Sequence, residues 1–298
     1  MVAPGRGKRV ARRTGISIRQ RRVSAELRAL RLAKGLSCKD VAEGVDCSES
    51  KISRMETGHR GLQPDDVSAI LGFLRASSAL RKELLDLVRD GSRQNWHEIH
   101  TSIATESTNW KDFIRLETDA DTIRNYEAML LPGLTQTRDY ALEVMRAGDS
   151  RRSAEEMERM VAARMARQRR LVEPTAPELH YLIEETALTW RVGTPATMRA
   201  QLRHLLHLAE RPKITVQVVP FAAGVHPGMN GSFVIFGFPA EPPVAYLESR
   251  GTSTFIEEAD HVKTFQFAWQ KLRAIALSPD DSARLITSVI GEPPCRER

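Results

Sequence analysis

Six polar residues between Ser48 and Arg54 have the chemistry needed to read the edges of DNA bases. Ile52 and Met55 are the apolar residues of this segment, and their spacing turns both inward if the segment is a helix. The outward side chains are then Ser48, Glu49, Ser50, Lys51, Ser53 and Arg54. Hydrogen-bonding side chains on a short helix are typical of major-groove recognition. Glu49 has two interpretations, an acceptor for a cytosine amino group or a residue that only favours the helix N-terminus.

Positive charge is concentrated at the start of the chain. The formal net charge is +6, yet residues 1–22 hold eight basic residues and no acidic residue. A polar, acid-free segment cannot bury enough apolar surface to fold, so we expect a flexible basic arm that neutralises DNA phosphates. A merely solubilising tail is the alternative, and binding to a membrane surface is disfavoured because the arm lacks an apolar face. The candidate phosphate contacts are Arg12, Arg13, Arg19, Arg21 and Arg22.

A second group of candidate residues lies far along the chain, and carboxylates with a histidine are its main members. Such groups support acid–base chemistry, metal binding or a ligand pocket. No nucleophile motif, phosphate-binding glycine loop or metal-ligand spacing accompanies them. We therefore favour a structural or partner-binding role, then a ligand pocket, then catalysis, and expect no enzyme activity, metal or cofactor. The candidates are Glu184, Glu185, His226, Tyr246 and Glu248.

The candidate recognition helix is predicted to be the second helix of a helix-turn-helix unit. Ser37 and Asp40 have the spacing of a capping box, which opens the preceding helix. Asp46 tolerates the left-handed conformation of a tight turn, and Ser48 can cap the recognition helix. A plain helical corner has the same periodicity, so the outward side chains carry the DNA-binding interpretation.

Residues 23–91 are predicted to form a helical domain of five short helices. The first begins at Ser24, the fourth has Pro64 in its first turn, and the fifth begins at Ser77 or Ser78. The helix-turn-helix supplies the second and third. Residues 1–22 precede this domain as the basic arm.

Residues 92–298 are predicted to form a larger regulatory, dimerisation or partner-binding domain. Its first part, from Trp96 to Ala147, is predicted to be mainly helical. The arginine-rich run from Arg164 to Arg170 is interpreted as a solvated helix face, with a second nucleic-acid patch as the alternative. The later segments alternate strands and helices, which indicates an α+β domain with a mostly antiparallel sheet. The expected fold class is thus mainly α with an α+β C-terminal part.

Composition excludes several classes of protein. No window of about 18 apolar residues is present, and the N-terminus lacks the apolar stretch of a secretory signal, so we expect no membrane association and a cytoplasmic protein. The chain has three cysteines, Cys38, Cys47 and Cys295, without the spacing of a zinc site. All three are interpreted as ordinary thiols.

The segment LRALRLAKGLSCKDVAEGVDCSESKISRMETG strongly resembles the Xre-type (Cro-like) helix-turn-helix family. The resemblance implies a structural ion pair between Arg31 and Glu56. It also implies that Ser37 and the N-terminus of the second helix contact phosphate, with Cys38 beside them, while the third helix faces the major groove. Many relatives have glutamine where this chain has Cys38.

The segments IRNYEAMLLPGLTQTRDYA and VQVVPFAAGVHPGMNGSFVIFGFP, with the later YLES, resemble the C-terminal domain of actinomycete WhiJ-like, Scr-type antitoxin-like regulators. This resemblance implies a transcriptional regulator, often encoded beside a small acidic partner protein. The favoured hypothesis is a homodimer that binds double-stranded DNA and senses a partner or ligand through its C-terminal domain. The alternative is a DNA-tethered enzyme or small-molecule sensor, which needs the Glu/His candidates in one cleft.

Overall fold

The computed structural model describes residues 18–58, 61–90, 108–149, 151–249 and 252–291. These residues belong to two compact units, which lie within Met1–Glu98 and Ile99–Arg298. The first unit is helical and the second combines helices with a sheet. The prediction of a helical N-terminal part followed by an α+β part is confirmed. No helix in the described ranges is long and apolar enough to cross a membrane.

The described part of the first unit contains five helices, as predicted. Apolar residues at helical spacing give each helix one buried side, and the shared core includes Leu27, Val41, Ile52, Leu71 and Leu84. The helices are α1 Ile18–Ala33, α2 Cys38–Gly44, α3 Glu49–Glu56, α4 Pro64–Phe73 and α5 Ser78–Asp90.

Helix α1 begins earlier than predicted. It starts at Ile18, so Ser24 lies inside the helix and is buried instead of capping it. Arg22 is also buried, and its guanidinium forms an ion pair with Glu83 of α5. The predicted arm is therefore wrong over residues 18–22, because an acidic partner 61 positions away compensates a charge that looks isolated in the sequence.

The turn between α2 and α3 is fixed by local hydrogen bonds. Ser37 and Asp40 form the predicted capping box at the start of α2, and the Ser48 hydroxyl accepts the Lys51 amide at the start of α3. Asp46 has φ 52°, a left-handed conformation that its short polar side chain tolerates. These bonds set the direction in which α3 leaves the turn.

A buried ion pair joins α1 to the end of α3. Arg31 donates from Nε to Glu56 Oε1 at 2.7 Å and from Nη2 to Oε2 at 2.8 Å, which is the bidentate geometry of a strong pair. Its Nη1 donates to the Leu36 carbonyl at 2.7 Å, so the same side chain also holds the loop before α2. The side chains of Arg31 and Glu56 are 10% and 6% exposed. The hydrogen bond that Arg31 donates to Glu56 raises the pKa of Arg31, and burial opposes this effect.

The second unit places helices around a six-stranded sheet with strand order β3-β2-β1-β4-β5-β6. The two pairings among β1, β2 and β3 are parallel and the other three are antiparallel, so the sheet is mixed. The elements are α6 Thr108–Asp119, β1 Thr122–Glu127, α7 Arg138–Gly148, α8 Ala154–Gln168, β2 Glu178–Glu184, α9 Glu185–Thr189, α10 Pro195–Ala209, β3 Ile214–Val219, β4 Phe233–Gly237, β5 Val244–Ser249, β6 Thr252–Ile256, α11 Ala259–Ile275 and α12 Pro279–Gly291.

The central strand β1 was not predicted, because the sequence analysis placed its residues in a segment predicted to be mainly helical. It pairs with β2 on one side and with β4 on the other. Its sequence TIRNYE has apolar side chains only at Ile123 and Tyr126, so it lacks the alternation that marks a half-buried strand. Asn125 is nevertheless buried, because neighbouring strands and helices enclose it.

The two faces of the sheet pack against different helices. Tyr126, Leu182 and Phe233 are adjacent in register and share a core with Trp269 and Leu272 of α11. The intervening residues point to the opposite face, since side chains alternate along a strand. There, Phe113 of α6 contacts the rings of Phe236 and Tyr246 at centroid distances of 5.4 and 4.7 Å.

Breaking the Arg31–Glu56 pair is expected to lower the free energy of unfolding of the first unit. The variant Glu56→Gln leaves a buried guanidinium without its counter-charge, which costs about 3 to 5 kcal/mol. Hydrogen–deuterium exchange of peptides from residues 18–58 of the full-length protein measures this loss directly. The control is Glu43→Gln, which removes one partner of the exposed Lys39–Glu43 pair and should leave exchange unchanged. Equal exchange in both variants would contradict a stabilising role for the buried pair.

Candidate functional site

Helix α3 presents a polar surface to solvent. Ile52 and Met55 are each 1% exposed, which fixes the opposite side of the helix outward. Five of the six predicted outward residues are exposed: Ser48, Glu49, Ser50, Ser53 and Arg54. The face therefore offers hydroxyls, a carboxylate and a guanidinium, the groups that hydrogen-bond to base edges.

Lys51 differs from its predicted place on this surface. It is half-buried, and its Nζ donates to Asp66 Oδ1 of α4 at 2.6 Å. The sequence could not reveal this, because Asp66 lies 15 positions further along the chain. Lys51 thus ties α3 to α4 and is not a freely projecting base reader.

Arg54 lies along its own helix. Its Nε donates to the Ser50 carbonyl at 3.0 Å and its Nη2 approaches the Ser50 hydroxyl at 3.4 Å, while the side chain stays exposed. These are contacts to the preceding turn, so a rotamer change is enough to turn the guanidinium outward. Arg54 is the one cation on the described outer face of α3 that is not paired with an acid.

The N-terminus of α2 lies next to the ion pair. Ser37 is exposed, but its hydroxyl donates to Asp40 Oδ2 at 2.7 Å and accepts the Asp40 amide at 3.1 Å. The Ser37 amide also donates to Asp40 Oδ2 at 2.7 Å, and the two bonds that the carboxylate accepts from the Ser37 side chain and backbone lower the pKa of Asp40. Cys38 is half-buried with its Sγ 3.9 Å from Glu56 Oε2, so its side chain points toward the ion pair and away from the predicted interface. Burial, then the charge of Glu56, raises the pKa of the Cys38 thiol.

The predicted arginines of the arm have different positions. Arg12 and Arg13 lie outside the described residues, and Arg19 lies in the first turn of α1. Arg21 is half-buried and Arg22 is buried against Glu83, so Arg22 is removed from any phosphate.

In the second unit, Glu184 and His226 lie together. Glu184 Oε1 accepts the Tyr126 hydroxyl at 2.7 Å and lies 3.4 Å from His226 Nε2. The Gly228 amide donates to His226 Nδ1 at 3.2 Å, so a neutral ring carries its proton on Nε2, facing Glu184. The cluster is buried, and its contacts attach the loop before β4 to the end of β2.

Glu185 serves the same loop from outside this cluster. Its Oε2 accepts the Phe221 amide at 2.8 Å. Glu184 and Glu185 are the last residue of β2 and the first of α9, and both hold backbone or side-chain groups in place.

Tyr246 and Glu248 lie on the opposite face of the sheet from Glu184 and His226. In register, Tyr246 is paired with Val234 and thus shares the face of Asn125, whereas Glu184 shares the face of Tyr126. The five predicted residues therefore do not converge on one site. Within the described residues, no group of three or more His, Cys, Asp or Glu side chains could hold a metal ion.

Tyr246 and Glu248 line a cavity of about 360 Å³ between the sheet and helices α6 and α8. Among the other polar residues of its lining, the sequence analysis did not single out Asn125, Glu127 or Tyr181, and it interpreted Arg164 as solvated. Burial raises the pKa of Glu127 to about 7 and lowers that of Arg164 to about 10. The available sequence signal was the charge of Glu127. Because the segment was assigned to a helix, nothing indicated that this charge faces a cavity.

The arginine-rich run of α8 contributes to this cavity. Arg164 and Arg167 are three positions apart and therefore share a helix face. Arg167 forms a bidentate pair with Glu117 at 2.9 and 2.6 Å, and its guanidinium lies 4.8 Å from the Trp110 ring centroid. The prediction of a solvated face is wrong for these two residues, because Arg167 pairs with Glu117 of α6 and Arg164 donates a hydrogen bond to Gln136 Oε1.

Two family models match the chain. Residues 22–84 match a helix-turn-helix domain, which coincides with the described helices of the first unit. No curated protein and no solved structure is significantly similar to the chain. Residues 110–288, more than half of the chain and nearly all of the described second unit, match the model of a domain of unknown function, DUF5753. The chain therefore belongs to the DUF5753 family.

Proposed function

We propose that this protein is a sequence-specific transcriptional regulator of the Xre type, in which α3 enters the major groove of double-stranded DNA. The observation that carries the proposal is the exposed polar face of α3, whose opposite side is fixed in the core by Ile52 and Met55. The match of residues 22–84 to a helix-turn-helix domain supports it. Ser48, Glu49, Ser50, Ser53 and Arg54 are the proposed base readers.

Residues next to α3 are proposed to position this helix for binding to DNA. The resemblance to the Xre-type family supports a phosphate contact at exposed Ser37 and the N-terminus of α2. Lys51 acts through Asp66 to position α3 against α4. The Arg31–Glu56 pair fixes the end of α3.

The second unit is proposed to join two copies of the chain and to receive a signal. A short recognition helix contacts few base pairs, so two linked copies discriminate better than one. The segment between β3 and β4 exposes three large apolar side chains, Phe221, Val225 and Met229, which suit a protein interface. The resemblance to actinomycete antitoxin-like regulators supports a small acidic protein as a second partner and a cytoplasmic location.

A binding role for the second unit is favoured over catalysis. The Glu184–His226 cluster and the Tyr246–Glu248 pair lie on opposite faces of the sheet. A DNA-tethered enzyme that combined them would need all four groups within reach of one substrate. The cavity beside Tyr246 instead supports a ligand sensor, so we propose a non-enzymatic regulator.

The direct test is a footprint of the full-length protein on the DNA upstream of its own gene, with and without any small protein encoded beside it. A protected site with two related half-sites supports the proposal. Uniform protection of the upstream DNA without a preferred site would contradict the proposed sequence-specific binding.

Removing Arg54 is expected to weaken specific DNA binding. Arg54→Ala removes a base contact worth about 1 to 3 kcal/mol, with no effect on folding because the side chain is exposed. Fluorescence anisotropy with the footprinted site measures the affinity. The matched control is Arg81→Ala, which removes the same charge from an exposed position on α5. Equal affinities of the two variants would remove α3 from the interface.

Deleting residues 1–17 is expected to weaken binding to all DNA sequences alike. The deletion removes five basic residues and ends before α1. Each phosphate that the shortened protein no longer neutralises should reduce the slope of log affinity against log salt by about 0.9. Titrations of specific and random duplexes at several salt concentrations measure both effects. An unchanged slope with an altered sequence preference would instead indicate that this segment reads a groove.

Introducing charged side chains into the exposed apolar segment between β3 and β4 is expected to dissociate the proposed dimer. Val225→Asp combined with Met229→Asp places two charges where the interface is proposed to be dry, while both positions are exposed in the described chain. Sedimentation of the full-length protein at micromolar concentration should show dimers for the wild type and monomers for the variant. The control Val172→Asp alters an exposed apolar residue elsewhere. A monomeric wild type would overturn the dimer.

A further inference from the structure

The cavity between the sheet and helices α6 and α8 has the size and walls of a small-molecule site. Its volume of about 360 Å³ lies within the range of small-ligand pockets, about 300 to 1,000 Å³. Trp110, Phe113 and Tyr246 supply aromatic walls. Exposed Met129 and Glu248 also line the cavity, so it communicates with solvent on their side.

Buried polar atoms in this cavity lack partners. The Tyr181 hydroxyl, Asn125 Oδ1 and Arg164 Nε accept or donate no hydrogen bond within the described residues. Tyr181 is 1% exposed and Asn125 is 8% exposed, and both line the cavity. The Tyr181 hydroxyl and Asn125 Oδ1 can each accept a hydrogen bond, so a molecule with donor groups offsets the cost of leaving these two buried atoms unsatisfied.

The charges around the cavity do not balance. Glu117 and Arg167 neutralise each other in their bidentate pair. Of the remaining groups, Arg164 contributes one positive charge, whereas Glu127 and Glu248 contribute two negative charges when both are ionised. Ser232 and Asn125 hydrogen-bond to Glu127 and hold its carboxylate at the cavity wall. The missing complement is one positive charge with hydrogen-bond donors.

We infer that the cavity binds a small organic amine, with its ammonium group toward Glu127, Glu248 and Asn125 Oδ1 and its apolar part against the aromatic walls. An ammonium group has donors for the carboxylates and for the free amide oxygen, and aromatic faces attract a cation. This inference rests on the proposed role of the second unit as a receiver. It names the chemical class of the signal.

Proton binding at Glu127 competes with the amine. Burial and the neighbouring charge of Glu248 raise the pKa of Glu127 to about 7. The ammonium ion needs the ionised carboxylate. The affinity for the amine is therefore highest above this pKa and decreases as the pH falls below it. The other titratable groups that face Glu127 or line the cavity with it are Glu117, Glu248, Arg164, Arg167, Tyr140, Tyr181 and Tyr246.

The test is isothermal titration of the full-length protein with three probes that share a phenyl ring and differ in charge. Phenethylamine should bind saturably with one molecule per chain, while phenethyl alcohol and the anion hydrocinnamate should bind at least about tenfold more weakly. With a pKa near 7, the amine should bind about tenfold more weakly at pH 6 than at pH 8. Stronger binding of the anion, or equal binding of all three probes, would overturn the inference.

Three variants locate the amine. Glu127→Gln should weaken phenethylamine about tenfold or more and remove its pH dependence, whereas Glu178→Gln, an exposed acid at the other end of the sheet, should change neither. Tyr181→Phe removes a hydroxyl without a partner, so the protein should keep its unfolding temperature and lose several-fold in amine affinity. Unchanged amine affinity in a folded Tyr181→Phe or Glu127→Gln protein would contradict this location.

Operator affinity in the same samples separates this inference from the proposed function. Loss of amine binding with an intact footprint overturns only the inference. Amine binding by a protein that makes no footprint overturns the proposed regulator but supports the amine site. A change in operator affinity on addition of phenethylamine supports both, because a ligand changes DNA binding only by preferring one of two states.

Discussion

The buried pair of Arg31 and Glu56 is the interaction on which the first unit depends. One guanidinium satisfies a carboxylate at the end of α3 and a carbonyl in the loop before α2, so three segments share one side chain. Charged groups in a low-dielectric core are costly alone and stable together. The pair therefore fixes the angle of α3 relative to α1, and with it the direction of the exposed polar face.

The second unit depends on a different constraint, the alternation of side chains along a strand. Tyr126 and Glu127 are neighbours in β1 but point to opposite faces of the sheet. One face joins Tyr126 to Glu184 and His226 and attaches a loop. The other face joins Glu127 to Tyr246 and Glu248 around the cavity. Groups that seem able to act together in the sequence are thus divided between a structural cluster and the cavity that we propose binds a ligand.

Charged residues in both units illustrate how distant partners change the role of a side chain. Arg22 and Lys51 look like DNA contacts in the sequence, yet acids on other helices bind them. Arg167 looks solvated, yet Glu117 pairs with it beneath α6. In each case the acid lies 15 or more positions away. Charge patterns report local composition, whereas the pairing of charges is decided by packing.

Elements that depend on local hydrogen bonds and periodicity can be predicted from the sequence alone. The capping box at Ser37, the left-handed turn at Asp46 and the inward side of α3 follow from neighbours within a few residues. The position of TIRNYE as the central strand becomes visible only in the folded protein, because its strand conformation is stabilised by β2 and β4 and not by its own pattern. The cavity around Glu127 also depends on the placement of β1 in the sheet. Burial of one face of this strand gives the cavity its unpaired polar groups and its excess of negative charge.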